Sequence, residues 1–460
     1  MHFYYLALLC ILLPALAFTN FRITYGKQND PQANLESGFK AYMQDNLKEA
    51  KRYWLLSASQ DNPAAQLSLG ITYEREGELK KAKHYYKLAA HQEYALAQYK
   101  LGNILQQENN LKEAKRYYKL VAHQNYREDQ FNLSLMYNHE SLKEFKQYYK
   151  LATTDAIAKA RFNLGNIYQK KDNTKQAKHY YQLAADENDL VDAQLYLARI
   201  LYEEGNVKQA KHYLSLAANQ QDSDAQNNLG SILYKEGDIR QAKHYLVLSS
   251  NQGNIIAQRN LGHIFYEEKN LKEATHYYKL AADQGDMLAQ FNLAAISYKE
   301  GNLKQAKHYC QLAADQGYIK AQCTLGFLYK KENNLKQAKC YYQLAAAQGN
   351  VEAQNDLGVI YSEEGDLKQA KHYLSLAAEH GNADAQFNLG VTYHKEGNIK
   401  QAKYYYQLAA NQGNSSAQNG LAHILYNEGD LKQAKHYCQL AASQGDMSAQ
   451  HNLDGILKEV

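Results

Sequence analysis

Residues 383–414 read ADAQFNLGVTYHKEGNIKQAKYYYQLAANQGN, and the same stretch recurs, with changes, from about Pro31 to the C-terminus. With its residues numbered as slots 1 to 32, Gly390 falls in slot 8. The small residue of that slot returns as Gly38, Gly70, Gly102, Ser134, Gly165, Ala198, Gly230, Gly262, Ala294, Gly326, Gly358 and Ala422. The step is 32 residues almost throughout; the copy around Ser134 loses one residue and the next gains one near residues 186–192. Thirteen full copies and a partial one result, spanning residues 31–445 and 446–460. A fixed period of this size predicts a solenoid.

Slots 3 to 14 and 18 to 30 are rich in Ala, Leu, Gln, Lys and Tyr, and between them sits Gly-Asn or Gly-Asp, as at Gly397-Asn398 and Gly365-Asp366. Glycine ends one helix and Asn or Asp caps the next, so each copy is expected to be two helices of about a dozen residues joined by a tight turn. At about 100° per residue, slots 20, 23, 24, 26, 27 and 28 cover roughly 200° of the second helix: Ala402, Tyr405, Tyr406, Leu408, Ala409 and Ala410. An arc that wide predicts packing on two sides, with slots 18, 21, 22, 25 and 29 left outside. Slots 8, 20 and 27 are almost always Gly, Ala or Ser, which lets helices approach closely. In the partial last copy slot 8 is Asp454, and residues 446–460 are expected to form the polar-edged terminal helix that a solenoid needs.

The pattern LG-x-x-Y, then Ala twelve residues after the Gly, an aromatic four on and Ala seven on, is similar to the tetratricopeptide repeat. The ending AA-x-x-G, as in Ala409-Ala410-Asn411-Gln412-Gly413, resembles the Sel1-like repeat, a branch of the same superfamily. The step is shorter than in either pattern and the internal turn shorter than the Sel1-like one, and Asp61, Asn125 and Asn188 replace the terminal Gly in N-terminal copies. The resemblance implies an all-α, right-handed superhelix of stacked helix pairs that serves as a platform for protein partners. Function on so widely shared a fold has to be argued from surface sites.

Residues 1–17 (MHFYYLALLCILLPALA) hold an apolar run ending in Ala15-Leu16-Ala17. The run is short for a membrane span and finishes in a small-x-small pattern, so a cleaved signal peptide and an exported protein are expected. Cys10 lacks the small residue that precedes a lipid-bearing cysteine. Residues 18–30 read as an unstructured lead-in. Beyond the leader, 52 basic and 48 acidic residues leave a net charge of +4, which gives no global pull toward nucleic acid. No later apolar stretch is long enough for a membrane helix, and a monomer is expected. Cys310, Cys323, Cys340 and Cys438 show no zinc-like spacing. Cys310 and Cys438 fall in slot 24, where Tyr or Leu usually packs, and are expected to be small core substitutes.

Slot 22 carries His84, His179, His212, His244, His276, His308, His372 and His436, with Lys at slots 18 and 21. On the helical wheel these form a basic outer ridge. Its plain reading is a solvated face balanced by Glu at slot 14; its functional one is pH-sensitive attachment to an anionic surface. Metal binding is not expected, because equivalent positions on stacked units are about 9–10 Å apart.

Slots 2, 5, 9, 12 and 13 of the first helix vary most between copies and share one side, the concave wall of a tetratricopeptide-like superhelix. Slot 12 is Tyr in four successive copies, Tyr202, Tyr234, Tyr266 and Tyr298, and tyrosine is a common anchor in recognition surfaces. The set Arg259, His263, Asn292, Lys320 and Thr324 resembles the carboxylate clamp of some tetratricopeptide domains, since Arg, Asn and Lys suit an anionic group. His263 and Thr324 depart from that clamp. Tyr99, Asn103, Asn132, Lys159 and Asn163 match it less well. The candidate partner-binding residues are Tyr202, Tyr234, Arg259, His263, Tyr266, Phe291, Asn292, Tyr298 and Lys320.

Catalytic signatures (GxSxG, HExxH, a phosphate-binding Gly loop) are absent, and paired acids such as Glu203-Glu204 and Glu363-Glu364 recur with the period. The expectation is an exported, non-enzymatic scaffold without cofactor that binds a peptide or protein. The resemblance implies host or envelope interaction for bacterial proteins of this type. A glycan or cell-wall binder is the first alternative. An enzyme like the cysteine-rich relatives credited with β-lactam hydrolysis is the second. A secretory-lumen adaptor, with Asn132 and Asn414 as glycosylation candidates, is the third.

Overall fold

The computed structural model describes residues 30–124, 143–188 and 190–459, with side chains over 30–124, 151–186 and 190–457. The expected leader, nearly all of the lead-in, Asn125, Asn132 and Ser134 lie outside the described residues. The chain divides into two compact units, Met1–Leu229 and Gly230–Val460. The first holds α1 (Pro31–Met43), α2 (Leu47–Ala58), α3 (Pro63–Arg75), α4 (Leu79–His91), α5 (Ala95–Gln107), α6 (Leu111–His123), α7 (Lys143–Gln169), α8 (Thr174–Asn188), α9 (Val191–Glu203) and α10 (Val207–Asn219). The unit boundary falls within α11 (Ser223–Lys235). The second unit continues with α12 (Ile239–Asn251), α13 (Ile255–Glu267), α14 (Leu271–Asp283), α15 (Met287–Lys299), α16 (Leu303–Asp315), α17 (Ile319–Lys331), α18 (Leu335–Ala347) and α19 (Val351–Glu363). It ends with α20 (Leu367–Glu379), α21 (Ala383–Lys395), α22 (Ile399–Asn411), α23 (Ser415–Asn427), α24 (Leu431–Ser443) and α25 (Met447–Glu459). The described residues contain no strand. Apart from α7, the helices of each unit pair as the period predicts, and the second helix of a pair packs on the first helix of the next.

Local chemistry explains the boundaries. Within the copy of residues 383–414, Gly397 and Gly413 sit at φ 76° and 88°, left-handed values that end α21 and α22. Asn398 then accepts from the Gln401 amide at 3.2 Å, and Asn382 accepts from the Ala385 amide at 2.7 Å, so a side chain caps each helix. Slot 8 marks the closest approach inside a pair. A methyl group built on Gly390 would stand 2.6 Å from the Tyr406 ring, and one on Gly38 would stand 2.4 Å from Trp54.

Neighbouring copies are joined by a repeated seam. Lys307 on α16 reaches Glu332 at the end of α17 at 2.7 Å and lies 5.2 Å from the ring of Tyr329. That ring stacks on Tyr341 of its own copy at 5.6 Å and 4°. Lys51–Glu76, Lys243–Glu268, Lys339–Glu364 and Lys371–Glu396 repeat the ion pair, always from slot 21 of one copy to slot 14 of the next. At the seam between α14 and α15 the device is missing, because slot 21 is Thr275 and slot 11 is Ser297.

At the other end of the same helices runs a buried glutamine ladder that has no counterpart among the sequence-based expectations. Gln322, 4% exposed, donates to the Ala314 carbonyl of the preceding copy at 3.3 Å and accepts from Gln348 at 2.8 Å. Gln258, Gln290, Gln386 and Gln418 repeat both links. In water-free surroundings an unpaired amide costs about 1–3 kcal/mol, so the ladder fixes the register of each copy on the last.

The structure corrects two expectations. The helical wheel puts the slot-26 leucine inside, yet Leu248, Leu280, Leu312, Leu344 and Leu440 are exposed. The small residues at slots 27 and 28 bring the backbone of the second helix against its neighbours, so the buried arc is centred on slots 20, 24, 27 and 28 and slot 26 falls at its rim. The second correction concerns the copy around Ser134. The chain runs as one 27-residue helix, α7, through the junction where the period predicts a turn. That junction, Thr153-Thr154-Asp155-Ala156-Ile157, has neither a Gly to end a helix nor an Asn next to it to start one. Consequently the slot-4 residue Arg161 reaches the Ala122 carbonyl at 3.3 Å, and Lys115 lies 3.8 Å from the Tyr168 ring. These are the links that adjacent copies make elsewhere, so the copy of Gly102 is seated directly on that of Gly165.

Candidate functional site

The varied face of the first helices is built by α11, α13, α15 and α17 in the second unit. Here the structure joins several candidate residues. The Tyr234 ring meets His263 edge-on at 6.2 Å and 86°. Tyr266 accepts from Lys299, whose Nζ also lies 5.1 Å from the Tyr266 ring. Lys331 approaches the Tyr298 hydroxyl at 3.5 Å. Slot 13 of one copy thus supplies a cation to the slot-12 tyrosine before it, a link that sequence reading missed. The signal was there in Lys299 and Lys331 at slot 13 of the copies after Tyr266 and Tyr298, though Tyr234 is followed by Glu267.

Arg259 is placed differently from a free clamp residue. Its guanidinium pairs with Asp286 at 2.6 Å, and Asp286 also caps α15 by accepting from the Ala289 amide at 2.7 Å. Phe291 lies edge-on to Tyr318 at 5.2 Å and 71°. Asn292 hydrogen-bonds the Tyr278 hydroxyl, whose pKa burial drives well above the usual phenol range. Lys320 is exposed, and its carbonyl accepts from Thr324 at 2.8 Å. The positive charge this face offers a ligand therefore comes from Lys320, Lys299 and Lys331 rather than from Arg259. Tyr202, also exposed, belongs to the first unit. In that unit Asn103 accepts from Tyr118 at 2.7 Å and Lys159 pairs with Asp155 at 2.7 Å.

The cysteines and histidines of the periodic slots take plain positions. Cys310 and Cys438 are buried in slot 24, and burial pushes the Cys310 thiol up to about 12. Burial, with Glu352 and Asp356 nearby, pushes Cys323 up to about 11, away from thiolate chemistry at neutral pH. The slot-22 histidines are exposed and rest on the tyrosine that follows each, as His276 does on Tyr277 at 5.1 Å. Among the described residues no group of three His, Cys, Asp or Glu could hold a metal ion, and no helix is long and apolar enough to cross a membrane.

Comparison with known proteins agrees with this architecture. The Sel1 repeat pattern matches residues 63–94, 191–222, 223–254, 255–286, 288–318, 321–350, 383–414 and 415–446. The tetratricopeptide repeat pattern matches 95–122, 158–188 and 351–379. The chain belongs to the Sel1 repeat family. Repeats of this class are generally non-catalytic scaffolds for protein–protein interaction. Among solved structures, c5321, a protective antigen of uropathogenic Escherichia coli strains with a Sel1-like repeat fold, is 24% identical with a TM-score of 0.59, covering 89% of this chain and 91% of its own. A Sel1 repeat protein from Oxalobacter formigenes is 27% identical over 58% of this chain and 86% of its own, with a TM-score of 0.45. No curated protein matches the chain.

Proposed function

We propose that the protein is an exported, non-enzymatic scaffold that holds a peptide or protein partner against the first-helix face of its second unit, in an envelope or host-contact setting. The observation that carries this reading is the row Tyr234, Tyr266 and Tyr298, set one per copy on consecutive first helices with Lys299 and Lys331 beside two of them. Rigid aromatic area flanked by cations is the composition of a protein-recognition surface with some preference for acidic segments. Export rests on the apolar leader that ends in Ala15-Leu16-Ala17. Capture from an extract with the chain lacking residues 1–17, compared with its Tyr234→Ala/Tyr266→Ala variant, tests the surface. Protein captured by the first and lost from the second supports the reading; retention on polysaccharide alone would replace it with the glycan-binding one. An N-terminus at Phe18 in secreted material tests export.

A further inference from the structure

The outer side of the second helices carries features that neither the packing nor the partner reading uses. In the second unit Lys272, Lys304, Lys336, Lys368 and Lys400 occupy slot 18, all exposed and none in an ion pair. The slot-21 lysines, by contrast, are tied to glutamates, as Lys339 is to Glu364 at 2.7 Å. One turn beyond slot 18 stand the exposed rings of His276, His308 and His372. Another turn on, Leu280, Leu312 and Leu344 are 37%, 37% and 48% exposed. Slots 18, 22 and 26 are i, i+4 and i+8 positions, one face of a helix, with rows about 6 Å apart along its axis.

Successive second helices lie side by side, so these rows continue from copy to copy. Tyr341 on α18 donates to Gln311 on α16, and Gln407 on α22 donates to Tyr437 on α24 at 2.7 Å. The carboxylates of these helices outside the seam are few. Glu273 stands beside Lys272, while Asp283, Asp315 and Glu379 sit at slot 29, a turn past the leucines and remote from the lysine row. We propose that this outer face docks on an anionic lipid surface, with the lysine row meeting phosphate headgroups and the leucine row entering the boundary beneath them. Charge complementarity alone would suit any polyanion. The exposed leucines in line with the cations favour lipid.

Sedimentation of the full chain with phosphatidylcholine vesicles containing half phosphatidylglycerol tests this. Binding is expected at low salt, weakening as screening shortens, and pure phosphatidylcholine should bind far less. The K304Q/K336Q/K368Q variant should lower the partition coefficient roughly 100-fold, about five-fold for each lysine. L280S/L312S/L344S, with charge unchanged, should lower it at least about tenfold, while K395Q on the first-helix side should leave it unaltered. Circular dichroism confirms that each variant is folded. No binding to the anionic vesicles, equal binding to the neutral ones, or full binding by the leucine variant would overturn the proposal, the last by pointing to a soluble polyanion such as heparin. The Tyr234→Ala/Tyr266→Ala variant should still bind vesicles, which separates this face from the proposed partner surface.

Discussion

Ala294 and Cys310 are matched in size: where slot 8 gains a methyl group, slot 24 loses its ring. Gly38 faces Trp54, and Gly70, Gly102, Gly165, Gly262, Gly326 and Gly390 each face a tyrosine; a methyl group added at any of these glycines would fall 2.4 to 2.7 Å from the ring. Ala198, Ala294 and Ala422 face Leu214, Cys310 and Cys438. The closest point of most helix pairs is therefore shared between two residues that trade size, although Gly230 and Gly358 face the smaller Leu246 and Leu374.

That sharing predicts a double-mutant cycle. Cys310→Tyr alone overfills the pair and should cost about 1–3 kcal/mol. Adding Ala294→Gly should recover most of the loss, giving a coupling of about 1 kcal/mol or more. Urea unfolding of the wild type, both single variants and the double variant measures it; additive effects would show that the two sites do not share space.

His380 interrupts the glutamine ladder. It occupies the slot from which Gln348 and Gln412 reach back to Gln322 and Gln386, and it bonds to the Leu376 carbonyl at 2.8 Å instead. Gln354 keeps its link to the Ala346 carbonyl at 3.3 Å, but its Oε1 is buried without a hydrogen-bond partner. His380→Gln should supply that partner and raise stability by about 1 kcal/mol, read as a higher urea midpoint. A lower midpoint would contradict the ladder.

The slot-24 tyrosines set a limit on alkaline stability. Burial pushes Tyr181 and Tyr406 up to about 12, and Tyr118, Tyr278 and Tyr342 higher still. A folded-state pKa raised above the unfolded value of about 10 means that the folded state holds these protons more tightly. The stability they support is whole below pH about 10 and is lost as pH rises through the folded values. Helical circular dichroism should therefore hold to about pH 10 and fall toward pH 12, with phenolate absorbance rising in the same window. Full phenolate formation at pH 10.5 with helicity intact would contradict the burial.

Much of this fold is legible in the sequence because a 32-residue period repeats its own signals. Helix ends, caps and the small residues of slots 8, 20 and 27 can be read from Gly390, Asn398 and Ala402 and checked in other copies. What stays hidden depends on which copy a side chain reaches. The wheel puts Glu at slot 14 near Lys, but only the folded chain shows Lys339 crossing to Glu364 in the next copy. Likewise, Gln322 looks like an ordinary helix former until its buried links to Ala314 and Gln348 are seen. Leu344 reads as inward-facing because a wheel gives angle and not the depth of the neighbouring backbone. At the site, the tyrosine row is readable from slot 12, whereas the pairing of Arg259 with Asp286 joins a surface slot to a capping slot, a link that Cys323 and Asn350 repeat with residue types that do not announce it.

Within each unit the same kinds of contact hold a copy to whichever copy lies next to it, as the seating of Arg161 on Ala122 already illustrates. Deleting residues 351–382 removes one copy in register and should place Lys339 against Glu396 and Gln386 against the Ala346 carbonyl. Circular dichroism of this variant should show the helicity per residue of the parent and a cooperative urea transition. A marked loss of helicity per residue, with deletion of any other single copy doing the same, would contradict the account.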